Sequence, residues 1–114
     1  MRWTPAAYVV HVADNLRIWS ERLAGAGRGE ATEVPGYDPD LLATARGYET
    51  TTLASALWSL DWSARAWVEA MNEALATQVV LQHANRGPQR AEDVARSNAH
   101  DAHHHLRDVD RILG

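Results

Sequence analysis

Hydrophobic residues recur every three or four positions in three long stretches of the chain. This spacing is typical of helices that bury one face. The stretches cover residues 5–23, 51–76 and about 90–113. Thr4 followed by Pro5 marks the start of the first, because threonine is a good N-cap and proline is well suited to the first helical position. The pattern therefore predicts three long helices.

Glycine and proline divide the rest of the chain into shorter segments. Residues 24–38 are rich in glycine and predict a loop, and a short helix is expected over 38–46. Residues 79–81 can form a short extended piece, and 85–88 have the composition of a turn. With no internal repeat, the chain is predicted to be one all-α domain over 1–114. It would form a bundle of three long helices and one short one.

The two later helices carry distinct apolar faces. The helix over 51–76 has a seam with heptad-like spacing: Leu53, Leu57, Leu60, Ala64, Trp67, Met71 and Ala74. Trp58 and Trp62 lie on another side of it. The last helix has one apolar stripe: Ala95, Ala99, Ala102, Leu106, Val109 and Leu113.

Composition excludes several kinds of protein. The formal net charge is −4 and the 11 Lys and Arg residues are scattered, so no nucleic-acid interface is expected. No cysteine is present, which rules out disulfides and thiolate metal ligands. No apolar run reaches ~18 residues and no signal peptide precedes the first helix. We therefore expect a cytoplasmic protein without membrane contact.

Histidines are concentrated in the last predicted helix. Four of the six lie between positions 100 and 105. On an ideal helix whose buried arc is centred on Ala102, Leu106 and Val109, Asp101 and His105 lie together on one flank. His100 and His104 lie nearly opposite this arc, and His103 lies on its other flank. A solvated polar face is the simpler interpretation of those three.

Asp101 and His105 have the i,i+4 spacing that lets two side chains bind one divalent cation. His11 lies on the inward strip of the first helix, beside Tyr8 and Ile18. Taken alone, it is more typical of a hydrogen-bonded core histidine. With a carboxylate–histidine pair on another helix, it becomes a candidate third ligand.

Two segments resemble the DinB-like family. Residues 3–5 (WTP), followed by His11, are similar to that family's W-[ST]-x-x-E-x-x-x-H start of the first ligand helix, and 12–14 (VAD) match its H-[LV]-A-[DE] continuation. Residues 101–109 (DAHHHLRDV) resemble its H-x-x-x-H-L-x-[QD]-[IVL] block, and Gly87 stands at the expected place before the last helix. Together the segments bracket nearly all of the chain.

The resemblance implies a metal-binding four-helix bundle with His11, Asp101 and His105 as ligands to a divalent ion, zinc or nickel. Many members have histidine where this chain has Asp101, and the mycothiol-dependent maleylpyruvate isomerase branch has a carboxylate there. Several relatives are enzymes that use a low-molecular-weight thiol. The resemblance therefore implies a thiol S-transferase or hydrolase acting on a small molecule, through a metal with open coordination positions.

Other roles follow from these assignments. Asp14 and Asp108 are candidates for orienting the imidazoles, and Tyr48 and Asn15 for lining a pocket. A non-catalytic assembly protein that keeps the site as a relic or a structural staple is the alternative function, since nothing in the sequence shows a substrate pocket.

The family pattern also leads to an expectation about the oligomeric state of the chain. Family members usually have a long helix before the tryptophan, whereas this chain begins two residues before it. The start is then truncated, or another subunit covers the gap. We expect a symmetric homodimer through the side of the helix that carries Trp58 and Trp62. The alternative is that this pair covers loop 24–38 within one chain.

Overall fold

The computed structural model describes residues 3–29 and 32–113. Four α-helices and three short strands follow one another, with a 3₁₀ turn at Tyr48–Thr50: α1 Pro5–Gly27, β1 Glu33–Val34, α2 Pro39–Ala45, α3 Leu53–Thr77, β2 Val80–His83, β3 Gly87–Arg90 and α4 Ala91–Leu113. The four predicted helices are confirmed, and a small sheet is added to them. None of the helices in these ranges combines the length and hydrophobicity needed to cross a bilayer.

Side chains at the helix starts explain where the helices begin. The Thr4 hydroxyl accepts a hydrogen bond from the Ala7 N–H at 3.1 Å, and the Thr52 hydroxyl caps α3 in the same way. The first helix ends at Gly27 rather than near Leu23. Leu23 is buried and Ala26 packs against the same core cluster, so packing outweighs the low helix propensity of the glycines.

The sheet has the order β1-β2-β3, with β1 parallel and β3 antiparallel to β2. Extended structure was predicted over 79–81, and β2 confirms it one residue later. Leu81 and His83 are buried and their neighbours exposed, so the strand shows the alternation of a half-buried sheet. The third strand was missed because Pro88 is typical of turns. Pro88 is tolerated here because β3 lies at the edge of the sheet.

The first helix is the centre of the molecule. It packs against α3, α4 and β2, and it is buried on every side from Ala6 to Leu16. Two core clusters lie along it. The first includes Val9, Tyr48, Ala56 and Val109, and the second includes Trp19, Leu23, Met71, Leu81 and Val94.

The predicted seam of α3 is buried only in its second half. Met71 and Ala74 lie in the core, whereas Leu53 and Leu57 are 41% and 51% exposed. Ala56 is fully buried in their place. The prediction was wrong for this half, because the buried position is occupied by an alanine rather than by one of the leucines of the seam.

The buried stripe of α4 is rotated from the predicted one. Leu106 is 38% exposed, and Ala99 is also exposed, whereas Val94 and Asn98 are buried. The indole N–H of Trp67 donates to Asn98 Oδ1 at 2.9 Å, which explains how a polar residue is accommodated in the core. The rotation turns the Asp101/His105 side of α4 toward α1. The side chain of Leu113, also predicted on the stripe, lies outside the described residues.

Trp58 and Trp62 stay exposed at 66% and 58% of their surface. Their rings lie 6.1 Å apart on the outer side of α3. The alternative in which this pair covers loop 24–38 is therefore not seen.

A buried carboxylate ties the segment after α2 to α1. Asp14 accepts a hydrogen bond from the Tyr48 hydroxyl at 2.6 Å and pairs with Arg46 Nε at 2.8 Å. Burial and the hydrogen bond to Asp14 raise the pKa of Tyr48, so its hydroxyl stays protonated and donates.

We expect Asp14→Ala to lower the free energy of unfolding by about 3 kcal/mol, since it leaves a buried hydroxyl without its acceptor. Asp61→Ala is the matched control, because Asp61 is exposed and forms an exposed i,i+4 pair with Arg65, so the substitution should change stability by less than about 1 kcal/mol. Urea unfolding measures both. Equal effects of the two substitutions would contradict the role given to Asp14.

Candidate metal centre

Three predicted ligands lie together between α1 and α4. His11 comes from the middle of α1, and Asp101 and His105 lie one turn apart on α4. Each offers one ligand atom, and these atoms all lie within 4.8 Å of one another. The cluster can hold a metal ion.

The distances suit such an ion. His105 Nε2 lies 3.3 Å from Asp101 Oδ1, and His11 Nε2 lies 3.8 Å from Asp101 Oδ2. Tetrahedral zinc with bonds of about 2.1 Å separates its ligand atoms by roughly 3.4 Å. The three side chains therefore need only small movements to bind one ion.

Burial favours the protonation state that binds metal. His11 is buried, and its ring centroid lies 4.5 Å from that of His105. Desolvation, followed by the nearby His105, lowers the pKa of His11 despite the opposing effect of Asp101. The neutral imidazole, which is the ligand form of histidine, is thus favoured.

Aromatic side chains hold the two imidazoles in place. The Trp3 ring lies 5.3 Å from His11, and the Tyr8 ring stacks on His105 at 5.8 Å with 28° between the planes. Trp3 and Tyr8 also contact each other at 5.2 Å. These contacts restrict the ring orientations without hydrogen bonds.

Asp14 and Asp108, the two aspartates expected to orient the imidazoles, interact with other side chains instead. Within the described residues, Nδ1 of His11 and Nδ1 of His105 are buried without a hydrogen-bond partner. Asp14 accepts a hydrogen bond from the Tyr48 hydroxyl. Asp108 lies 3.9 Å from His104 Nε2 and 3.7 Å from the Arg111 guanidinium. That prediction was wrong, because both carboxylates pair with other side chains and neither forms a hydrogen bond to Nδ1 of a ligand histidine.

Asp101 is positioned by a relay that the sequence did not reveal in full. The Tyr37 hydroxyl donates to Asn15 Oδ1 at 2.7 Å, and Asn15 Nδ2 donates to Asp101 Oδ2 at 3.4 Å. Burial, followed by the charge of Asp101, raises the pKa of Tyr37 to about 12, so this hydroxyl remains a donor. Tyr37 lies in the segment predicted as loop, where no periodicity marks its role.

The relay borders a cleft of about 860 Å³ that has the ligand cluster at one end. Asn15 lines the cleft as predicted, whereas Tyr48 does not, because it is buried against Asp14. The far end is formed by Arg22, His83 and Arg86.

The other histidines of α4 remain outside the cluster. His103 and His104 are exposed, and His100 is exposed at the side of the cleft. Among residues 3–29 and 32–113, His11, Asp101 and His105 are the one group of three with metal-ligand proximity.

Comparison of the chain with protein-family models, with curated proteins and with solved structures gave no match. What the site does must therefore be inferred from its own residues. The fold and the cluster define a mainly helical protein with a candidate His-His-Asp metal centre at one end of an open cleft.

Proposed function

We propose that this chain is a DinB-like metal-binding protein that uses His11, Asp101 and His105 to hold a divalent ion and acts on small molecules in the adjoining cleft. The observation that carries the proposal is the convergence of these three side chains at the cleft. They come from the first and last helices, the two elements that carry the family-like motifs. The small sheet is a departure from a plain helical bundle.

Zinc or nickel is the ion that the ligand types favour. Imidazole nitrogen and carboxylate oxygen are good ligands for both metals, and the chain has no thiolate. When bound, such an ion supplies Lewis acidity to a ligand that occupies its open coordination positions. Asp101 retains 38% exposure of its side chain, so small molecules can approach from the cleft.

A thiol S-transferase or a hydrolase is the activity that we propose. In an S-transferase reaction, the thiol sulfur forms a bond to an electrophilic carbon, the leaving group departs with its bonding pair, and the thiol proton goes to solvent. The cleft has room for a low-molecular-weight thiol beside a second small molecule. Asn15 and Tyr37 would hold Asp101 in a fixed orientation throughout.

A non-catalytic assembly protein with a structural metal site is the second candidate. The exposed surfaces of Trp58 and Trp62 favour it, because large apolar groups on an outer helix face are typical of interaction surfaces. This candidate predicts metal binding and association without turnover.

Elemental analysis of tag-free protein purified without nickel resin tests the metal, and a screen of thiol cosubstrates then tests the activity. We expect one ion per chain, and thiol-dependent turnover that His105→Ala abolishes and His103→Ala leaves intact. Protein without a bound ion would contradict the proposal. A bound ion with no turnover under any thiol would favour the assembly candidate.

Chelation should lower the melting temperature without unfolding the chain. The two apolar clusters lie along α1 and include none of the three ligands, so the fold has a core independent of the ion. An ion present at about 100 times its Kd contributes ~2.7 kcal/mol, which corresponds to roughly 10 °C in a domain of this size. Circular dichroism during heating, with and without chelator, measures the shift. Complete loss of the helical signal at room temperature would contradict this expectation.

A further inference from the structure

The far end of the cleft carries two positively charged side chains. Arg22 and Arg86 both line it, together with His83. Within the described residues, neither guanidinium has a carboxylate at ion-pair distance, although most other arginines there do. Two uncompensated guanidinium groups at one end of a cleft are typical of a site for an anion.

Arg22 is held in place while most of its donors remain available. One of its N–H groups donates to the carbonyl of Pro35 at 2.6 Å, and the guanidinium lies 4.8 Å from the centre of the Trp19 ring. A guanidinium has five N–H donors, and among the described residues the hydrogen bond to Pro35 uses one of them. The stacking on Trp19 pre-orders the side chain and reduces the entropy lost on binding.

His83 presents one further donor at the same end. Its Nδ1 accepts the backbone N–H groups of Asn85 at 3.1 Å and Arg86 at 3.3 Å. The proton of the neutral ring is therefore on Nε2. Burial, followed by the charges of Arg86 and Arg22, lowers the pKa of His83, which keeps the ring neutral and Nε2 a donor.

Arg86 closes this end from the hairpin side. Its guanidinium donates to the Ser97 hydroxyl of α4 at 3.2 Å, which leaves the other donors exposed at the rim. Arg22 and Arg86 come from α1 and from the β2–β3 turn, so their proximity is produced by the fold. Burial, and to a smaller extent the charge of Arg86, lowers the pKa of Arg22, and an anion bound beside both guanidinium groups would offset their mutual repulsion.

We propose that Arg22, His83 and Arg86 form a subsite for the anionic head group, a carboxylate or a phosphate, of an elongated small-molecule ligand. The further step, that the other end of the ligand reaches His11, Asp101 and His105, rests on the proposed function. His11 and Arg22 lie eleven residues apart on α1, which is about 16 Å of helix rise and close to three full turns, so both face the cleft. A compact anion would fill only one end.

Binding of simple anions to metal-free protein tests the subsite separately from the metal. The probes are hexanoate, hexyl phosphate and the neutral hexan-1-ol. Their binding is monitored through the NMR signal of the Trp19 indole, which lies between Arg22 and His83. We expect saturable shifts with one or both anions and none with the alcohol. Arg22→Gln and Arg86→Gln should each weaken anion binding about tenfold, since each removes a charge-assisted hydrogen bond.

Two controls separate the possible causes of failure. Arg65→Gln removes an exposed guanidinium on α3 and should leave anion binding unchanged. His105→Ala should abolish the binding of added zinc and leave anion binding to the metal-free protein unchanged, so a failed metal site would not be confused with a failed subsite. Unchanged anion binding in both cleft variants, equal binding of the alcohol, or no binding of either anion would overturn the proposal. Because Arg22 and Arg86 lie on different elements, unfolding of one variant would still leave the other as a test.

Discussion

Replacing His105 by alanine is expected to abolish stoichiometric binding of a divalent ion, and replacing His11 is expected to do the same. Each substitution removes one of three ligands that lie within 4.8 Å of one another, and two ligands alone bind weakly. We expect affinity to fall at least ~100-fold, beyond the 10–100-fold that loss of a supporting residue costs. Calorimetric titration with zinc, together with elemental analysis, measures this loss.

His103→Ala is the matched control for these variants. It removes an imidazole from the same histidine cluster, but His103 is exposed and lies outside the group of three. Stoichiometric binding should persist. If His103→Ala removed the ion and His105→Ala did not, the assignment of ligands on α4 would be wrong.

Replacing Trp58 and Trp62 together by alanine is expected to convert a dimer into a monomer. We propose that the outer face of α3 packs against a second copy of this chain. A tryptophan buries roughly 150–250 Å² in a contact, so the exposed parts of the pair offer about 250 Å², near a third of the ~800 Å² per partner in a stable interface.

Light scattering at micromolar concentration measures the assembly. Tryptophans that act as interface hot spots contribute about 2 kcal/mol or more each, so the double variant should weaken the dimer by about a thousandfold. Leu41→Ala is the control, because Leu41 is 71% exposed on α2 and should not affect the mass. A wild-type chain that stays monomeric at high concentration would exclude this interface.

The Asp101/His105 half of the candidate metal centre could be predicted from local rules, whereas the participation of His11 depended on the family resemblance and on how α1 and α4 pack. The i,i+4 spacing of Asp101 and His105 places both on one side of any helix, so this prediction does not depend on which face of the helix is buried. The buried face of α4 was in fact predicted incorrectly. The stripe was predicted from apolar residues alone, whereas the structure buries Asn98 through its hydrogen bond to Trp67, and the spacing of hydrophobic residues cannot reveal a buried amide.

The sheet and the far end of the cleft could not be predicted in the same way. The parallel pairing of β1 with β2 joins segments almost fifty residues apart, Glu33 with Gln82, and two-residue strands have no periodic signal. Tyr37, Arg22 and Arg86 acquire their roles only when three distant elements meet. Helix existence followed from local pattern, while these contacts depended on tertiary packing.

The most direct test of the metal centre is the position of the ion itself. Crystals grown with zinc and measured at the zinc absorption edge should give one strong anomalous peak per chain, at about 2.0–2.2 Å from His11, Asp101 and His105. A peak at His100, His103 or His104 alone, or no peak in zinc-saturated crystals, would contradict the account.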